Sequence, residues 1–153
     1  MKKLKYFFVF LIINFAALSI GVWLMENGPK TEWYMQLNKA PWTPTGWVFG
    51  AAWSSIMVCF SIYMAYLYSL VPSSKVKTLF TLQFIFNVGW NFVFFNQHLI
   101  NLGLIVILTL TAIITIFLYD FRKNLGYKSI FILPYFIWLC IANSLNLYIL
   151  LNN

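Results

Sequence analysis

Four long stretches of this chain contain no charged residue: 6–25, 40–74, 78–119 and 129–153. That spacing limits the fold more than any motif does. About 20 apolar residues cross the hydrocarbon core of a bilayer as a helix, so the gaps hold one, one, two and one crossings. The longest gap has to be broken, and "NQHLIN" (Asn96–Asn101) is its clearest polar interruption. The expectation is an all-α integral membrane protein, one five-helix transmembrane domain over 1–153. Its helices fall at about 5–25, 45–71, 78–96, 101–120 and 129–151, with a capping loop at 26–44. Composition agrees: 62% of residues are hydrophobic and 8% charged, whereas a soluble domain carries about 25% charged residues.

If the helices alternate, the N-terminus and the loops at 72–77 and 120–128 share one side of the membrane. That side carries every lysine and arginine except Lys30 and Lys39, which lie in a loop that also contains Glu26 and Glu32. Basic residues concentrate on the cytoplasmic side, so the N-terminus is expected inside and the C-terminus outside. The net charge of +7 is then a topology signal rather than a nucleic-acid footprint. The first apolar run is about twenty residues, longer than the roughly 7–15 of a signal-peptide core, and is read as a retained helix. Cys59 and Cys140 fall deep within expected helices and read as buried small hydrophobes.

The segment "KAPWTPTGWVFGAAW" (Lys39–Trp53) brings two prolines, two glycines and three tryptophans to the mouth of the second helix. Thr43 is expected to cap that helix and Pro44 to occupy its first position, where a missing N–H is harmless. Trp42 is then fixed at the mouth. Gly46, Phe49, Gly50, Trp53, Met57 and Phe60 share a face by helical spacing, and the glycines leave room beside Phe49 and Trp53. The third helix places Asn87, Trp90, Asn91 and Phe94 on one face. In the fifth, Tyr135, Trp138, Ala142 and Asn146 group together, with Pro134 expected to bend it. Asparagines in lipid need partners, so Asn87, Asn91, Asn143 and Asn146 are expected to face protein or a cavity.

Three helices therefore turn tryptophan towards one level. One reading is helix glue, with small residues permitting close packing and Trp23, Trp33 and Trp47 forming an interfacial belt. The other is an apolar pocket with few polar groups, fit for a flat organic ligand and closed by the 26–44 loop. The core lacks the intramembrane ionisable residues that proton-coupled transport uses. The single histidine, His98, reads as a solvent-facing loop residue rather than a haem ligand. The sequence contains no nucleophile–base pair and no metal cluster, so ligand binding is favoured over acid–base catalysis and no cofactor is required.

The segments "WYMQLNKAPWTPTGWVFGAAW", "FNVGWNFVFF" and "LPYFIWLCIANSLN" resemble the translocator protein (TspO/MBR) family. That family includes the peripheral benzodiazepine receptor and the bacterial tryptophan-rich sensory proteins. The likeness runs from Trp33 to Asn146. It implies binding of porphyrins, especially protoporphyrin IX, and of benzodiazepine-site drugs in a pocket beneath the first loop. It also implies a homodimer. The Lys, Asn, Ile and Phe bias resembles proteins of AT-rich bacteria, and the charge pattern suits a bacterial inner membrane. The family's pattern matches Trp42, Pro44, Gly46, Trp47 and Trp53, then Asn87 and Trp90. In the last helix it matches Pro134, Tyr135, Trp138, Ala142, Leu145 and Asn146, and Tyr34 matches the loop tyrosine. With Phe49 added from the helix face, the implied ligand-binding set is Tyr34, Trp42, Pro44, Gly46, Phe49, Trp53, Asn87, Trp90, Trp138, Ala142, Leu145 and Asn146.

Bacterial relatives are also associated with light- and oxygen-dependent porphyrin breakdown, for which Trp53 and Trp138 are the candidate electron donors. Alternatives are a small-molecule transporter or a sensory protein acting through a protein partner. The chain departs from the family pattern at Thr45, Met57 and Ser61, where proline, tyrosine and glycine are usual. Tyr148 is followed by no basic residue, so the sterol recognition of animal members is not carried over.

Overall fold

The structure is a computed structural model that describes residues 2–153. Most of the described residues are helical, and none of them forms a strand. The helices are α1 (Lys2–Leu24), α2 (Glu32–Gln36), α3 (Gly46–Leu70), α4 (Ser74–Asn91), α5 (Ile100–Leu125) and α6 (Leu133–Asn152). Tight 3-10 turns cover Gly28–Lys30 and Gly126–Ile132, and α4 runs into a π turn, Phe92–Asn96. Four continuous helical runs are long and apolar enough to cross a membrane: Lys2–Lys30, Gly46–Leu70, Ser74–Asn96 and Ile100–Asn152. The last contains both α5 and α6, which double back and pack on each other.

α1 packs on α3 and α4, α4 on α5, and α5 on α6, while α3 and α6 meet along a looser seam. The centre is aromatic: Phe60 lies edge-on to Phe117 and Tyr135 and parallel to Tyr63, with centroids 5.3–6.2 Å apart. With apolar lipid outside, burying hydrocarbon does little to hold helices together, and hydrogen bonds and close packing matter more. Asn14 Nδ2 donates to Ser61 Oγ across α1 and α3, and Tyr63 Oη donates to the Phe117 carbonyl. Gln83 Nε2 donates to Tyr135 Oη, and Asn143 Nδ2 to Thr111 Oγ1. Ser61, where the family pattern has glycine, is thus an interhelical acceptor. Outward positions such as Phe8, Ile12, Ile105 and Leu151 are apolar and exposed, as a lipid-facing surface requires.

The start of α1, the α3–α4 turn and the α5–α6 turn converge at one end. Lys75 Nζ pairs with Asp120 Oδ2 at 2.6 Å, and Lys3 and Lys128 both approach the Tyr66 ring.

Several local expectations are corrected. Thr45, not Thr43, precedes the first turn of α3, and its side chain makes no capping bond. Thr43 Oγ1 instead donates to the Ala40 carbonyl within a turn, so Pro44 lies before the helix rather than in it. Pro134 sits in the first turn of α6 after the Gly126–Ile132 turn; there it starts a helix and bends nothing. Cys140 is exposed and Cys59 half-buried, because each faces outward from its helix. α4 begins at Ser74, since the Ser73 hydroxyl accepts the Val76 N–H. α5 continues to Leu125, with Arg122 and Lys123 in its last turn favourably placed against the helix dipole. Gly126, at φ 54°, ends it in a conformation that glycine accepts readily.

Candidate functional site

The 26–44 loop lies across the helix ends opposite the lysine cluster. Thr31 caps α2 by accepting the Tyr34 N–H at 3.3 Å. Lys39 Nζ closes the other end, donating to the Tyr34 and Met35 carbonyls, and lies 4.8 Å over the Tyr34 ring. Beyond α2 the loop is tied to the C-terminus. The Asn38 N–H donates to Asn153 Oδ1 and its side-chain amide to the Asn152 carbonyl, both at 2.9 Å. Trp42 Nε1 then donates to Ser144 Oγ at 3.2 Å, and the indole stands edge-on to Tyr148.

Beneath the loop the aromatic residues form two groups. At the α3–α6 seam, Phe49 meets Trp138 edge-on at 5.5 Å and Trp53 meets Tyr135 at 5.8 Å. Under α2, Trp90 stacks on Phe94 at 5.2 Å and meets Phe95 edge-on. Tyr34 packs on Phe94 and Phe95, and Trp33 on Phe94. Trp90 also packs against the main buried core of the bundle. Burial raises the Tyr34 hydroxyl above its ordinary pKa, so it remains a neutral donor well into the alkaline range.

Two polar atoms in this region have no partner. Trp90 Nε1 and Asn146 Oδ1 are buried and make no hydrogen bond. The Trp90 indole stacks on Phe94, and Gly103 lies near both Phe94 and Asn146: a Cβ on it would lie 3.1 Å from the Phe94 ring and 3.7 Å from Asn146 Oδ1. Leaving a buried donor or acceptor unpaired costs about 1–3 kcal/mol. One donor and one acceptor are therefore held ready in an apolar, aromatic setting.

Of the residues expected from sequence, Tyr34, Phe49, Trp53, Trp90 and Trp138 join these contacts, and Ala142, Leu145 and Asn146 are buried along α6. Asn87 is buried one turn before Asn91, whose Nδ2 donates to the Asn87 carbonyl. Pro44 and Gly46 stand apart at the α3 entrance, and no side chain lies within 4 Å of a Cβ built on Gly46 or Gly50. Trp23 and Trp47, 76% and 75% exposed, have belt positions, whereas Trp33 is packed inward. Outside the seam, a groove of about 430 Å³ is lined by Ala52, Ile56, Pro134, Ile137, Trp138 and Ile141, among others. Trp138 therefore faces both the aromatic interior and the lipid side.

Sequence reasoning placed Phe94 on the Trp90 face without adding it to the ligand-binding set, and it did not select Phe95, Trp33, His98 or Gly103. Phe94 was legible, since it lies four residues after Trp90. Gly103 offered only an isolated glycine in a helix, a weak sign of close packing. His98 is exposed but stacks on Trp33, a pairing that no spacing reveals.

The sequence model of the TspO/MBR family matches residues 8–151. The tryptophan-rich sensory protein of Cereibacter sphaeroides is 29% identical over 92% of this chain and 86% of its own length. The tryptophan-rich protein TspO of Bacillus cereus is 35% identical over 74% and 76%. That of Archaeoglobus fulgidus is 32% identical over 79% and 80%.

Proposed function

The chain belongs to the TspO/MBR family, and on that premise we propose that it binds porphyrins of the protoporphyrin IX type within its tryptophan-rich end. It is an integral membrane protein. In this reading the 53-residue run Ile100–Asn152 crosses twice, giving five crossings with the lysine-rich end in the cytoplasm. The capping loop and aromatic site then lie on the outer side.

The supporting observation is the pair of unpartnered buried atoms, Trp90 Nε1 and Asn146 Oδ1, around Phe94 beneath Tyr34. A tetrapyrrole complements this arrangement. Its flat face stacks on indole and phenyl rings, one propionate carboxylate accepts the Trp90 N–H, and the hydroxyl of a protonated propionic acid donates to the asparagine oxygen. Benzodiazepine-site drugs, flat and largely apolar, would use the same aromatic walls. Entry requires α2 to lift its Trp33 and Tyr34 rings from Phe94 and Phe95, while the hydrogen bonds from the loop to the C-terminus are exposed. The family reading also implies a homodimer, which analytical ultracentrifugation in detergent would test.

The decisive test is a dark titration of the purified protein with protoporphyrin IX, followed by tryptophan quenching. Trp53→Phe, Trp138→Phe and the lipid-facing control Trp23→Phe are run alongside. Saturable binding that weakens at Trp53 and Trp138 but not at Trp23 supports the site. Quenching that never saturates, or that is equal in all variants, means partitioning into the micelle and defeats the proposal. Illumination in air then asks whether bound porphyrin is lost with Trp53 or Trp138 as electron donor and dioxygen as oxidant.

A further inference from the structure

At the end of the bundle away from the aromatic site, two ammonium groups without a counter-charge meet at one ring. Lys3 on α1 and Lys128 in the turn before α6 both reach the ring of Tyr66 on α3, at 5.4 and 4.6 Å from its centre. Among the described residues the one ion pair is Lys75–Asp120, so neither ammonium group meets a carboxylate. A tyrosine face attracts a cation only weakly at an exposed site, and two like charges brought to one ring repel each other. An anion between them would answer both.

The same ring forms one wall of a groove between α1 and α3. This groove of about 290 Å³ is lined by Lys3, Leu4, Phe7, Ile62, Ala65 and Tyr66. Phe7 lies one turn beyond Lys3, and Ile62 one turn before Tyr66 on the antiparallel helix. The groove therefore runs from the charged end into hydrocarbon depth. Its walls are apolar apart from Lys3 and the tyrosine hydroxyl, and Leu4 is exposed at its edge. A free anion would leave that floor empty, and a neutral lipid would leave the charges unanswered.

We propose that this groove is a binding site for an anionic phospholipid, with its phosphate between Lys3 and Lys128 and one acyl chain along Leu4, Phe7, Ile62 and Ala65. Basic pockets between membrane helices hold acidic headgroups through this combination of charge and hydrocarbon. The site is separate from the porphyrin reading and does not rest on it.

Native mass spectrometry tests it, using the full chain released from micelles that contain equal amounts of dioleoyl phosphatidylglycerol and dioleoyl phosphatidylcholine. The chain should retain phosphatidylglycerol about thirtyfold over phosphatidylcholine, in line with two lysines acting near a membrane surface. The double variant Lys3→Gln/Lys128→Gln should erase that preference, and Lys77→Gln, which removes an exposed cation from the same end, should keep it. Ile62→Trp, which leaves both charges and fills the floor, should weaken retention, and added inorganic phosphate should not displace the lipid. Equal retention of the two lipids overturns the proposal. So does an equal loss in Lys77→Gln, which would mean diffuse attraction, or full displacement by phosphate, which would mean an anion site without a chain groove.

Discussion

The Trp33 indole lies flat against the His98 imidazole, with ring centroids 4.1 Å apart and planes inclined by 15°. This contact joins the capping loop to the turn between α4 and α5, where His98 holds φ at 55°. A well-placed aromatic pair contributes about 0.5–1.5 kcal/mol. The hydrogen bonds that tie the loop to α6, from Asn38 to the C-terminus and from Trp42 to Ser144, are exposed. His98→Ala should therefore speed amide exchange in residues 31–40 by about fivefold and leave α3 unchanged. Bound porphyrin should also dissociate faster. Hydrogen exchange read by mass spectrometry separates the cases, since equal acceleration in α3 would show that the stack supports the bundle rather than the loop.

Asn146 is 3% exposed, with its carbonyl oxygen unpaired and its amide making only a long bond, 3.4 Å, to the Ala142 carbonyl. Leucine has nearly the same shape and removes an unpaired acceptor that costs about 1–3 kcal/mol. Asn146→Leu should leave the ligand-free protein equally or more heat-stable and lower porphyrin affinity by about tenfold, the loss of one buried hydrogen bond. Thermal unfolding in detergent, with and without porphyrin, reads both effects. A variant that binds as tightly as the parent would remove Asn146 from the site.

Two helix glycines differ in what surrounds them. A Cβ on Gly103 would lie 3.1 and 3.3 Å from Phe94 side-chain atoms, whereas one on Gly50 would meet nothing within 4 Å. Phe94 is held by Trp90, Trp33 and Tyr34, so it cannot move without disturbing the site. Gly103→Ala should destabilise the protein by about 1–3 kcal/mol, as overpacking does. Gly50→Ala should be neutral or slightly stabilising. Equal melting temperatures for the two variants would show that Phe94 has more freedom than its contacts indicate.

The helices were legible because lipid demands long uncharged runs, and the gaps in charge mark them directly. The capping turns were less so. Thr43 and Thr45 both precede a glycine-rich helix start, and only the turn closed by Thr43 on Ala40 decides between them. Pro134 misled for a related reason: its effect depends on where the helix begins, and the Gly126–Ile132 turn before it is invisible to apolar periodicity. In the site, the residues on helix faces could be read from spacing, among them Trp53, Trp90, Trp138 and Asn146. Contacts made by the loop, Trp33 on His98 and Asn38 on Asn153, join distant segments without any periodic signal. The sequence also cannot show that Trp90 and Asn146 carry unpaired atoms, because pairing depends on angle and distance rather than on residue type.

The Asn14–Ser61 bond should respond asymmetrically to its two deletions. Both residues are buried, and the bond is 2.8 Å long. Ser61 Oγ also donates to the Met57 carbonyl one turn earlier, so it keeps a partner when Asn14 is replaced. Asn14 Nδ2 has no such second bond and is left unpaired when the serine is lost. Ser61→Ala should therefore destabilise the protein more than Asn14→Leu, because an orphaned buried donor costs more than the bond itself contributes. The double variant should recover part of the loss, with a coupling of about 0.6 kcal/mol and no more than about 1.7, the range for such pairs in membranes. Unfolding curves in mixed detergent micelles give the three differences. If Asn14→Leu proves the more damaging substitution, the asparagine holds α1 to α3 through packing, and the hydrogen bond is incidental.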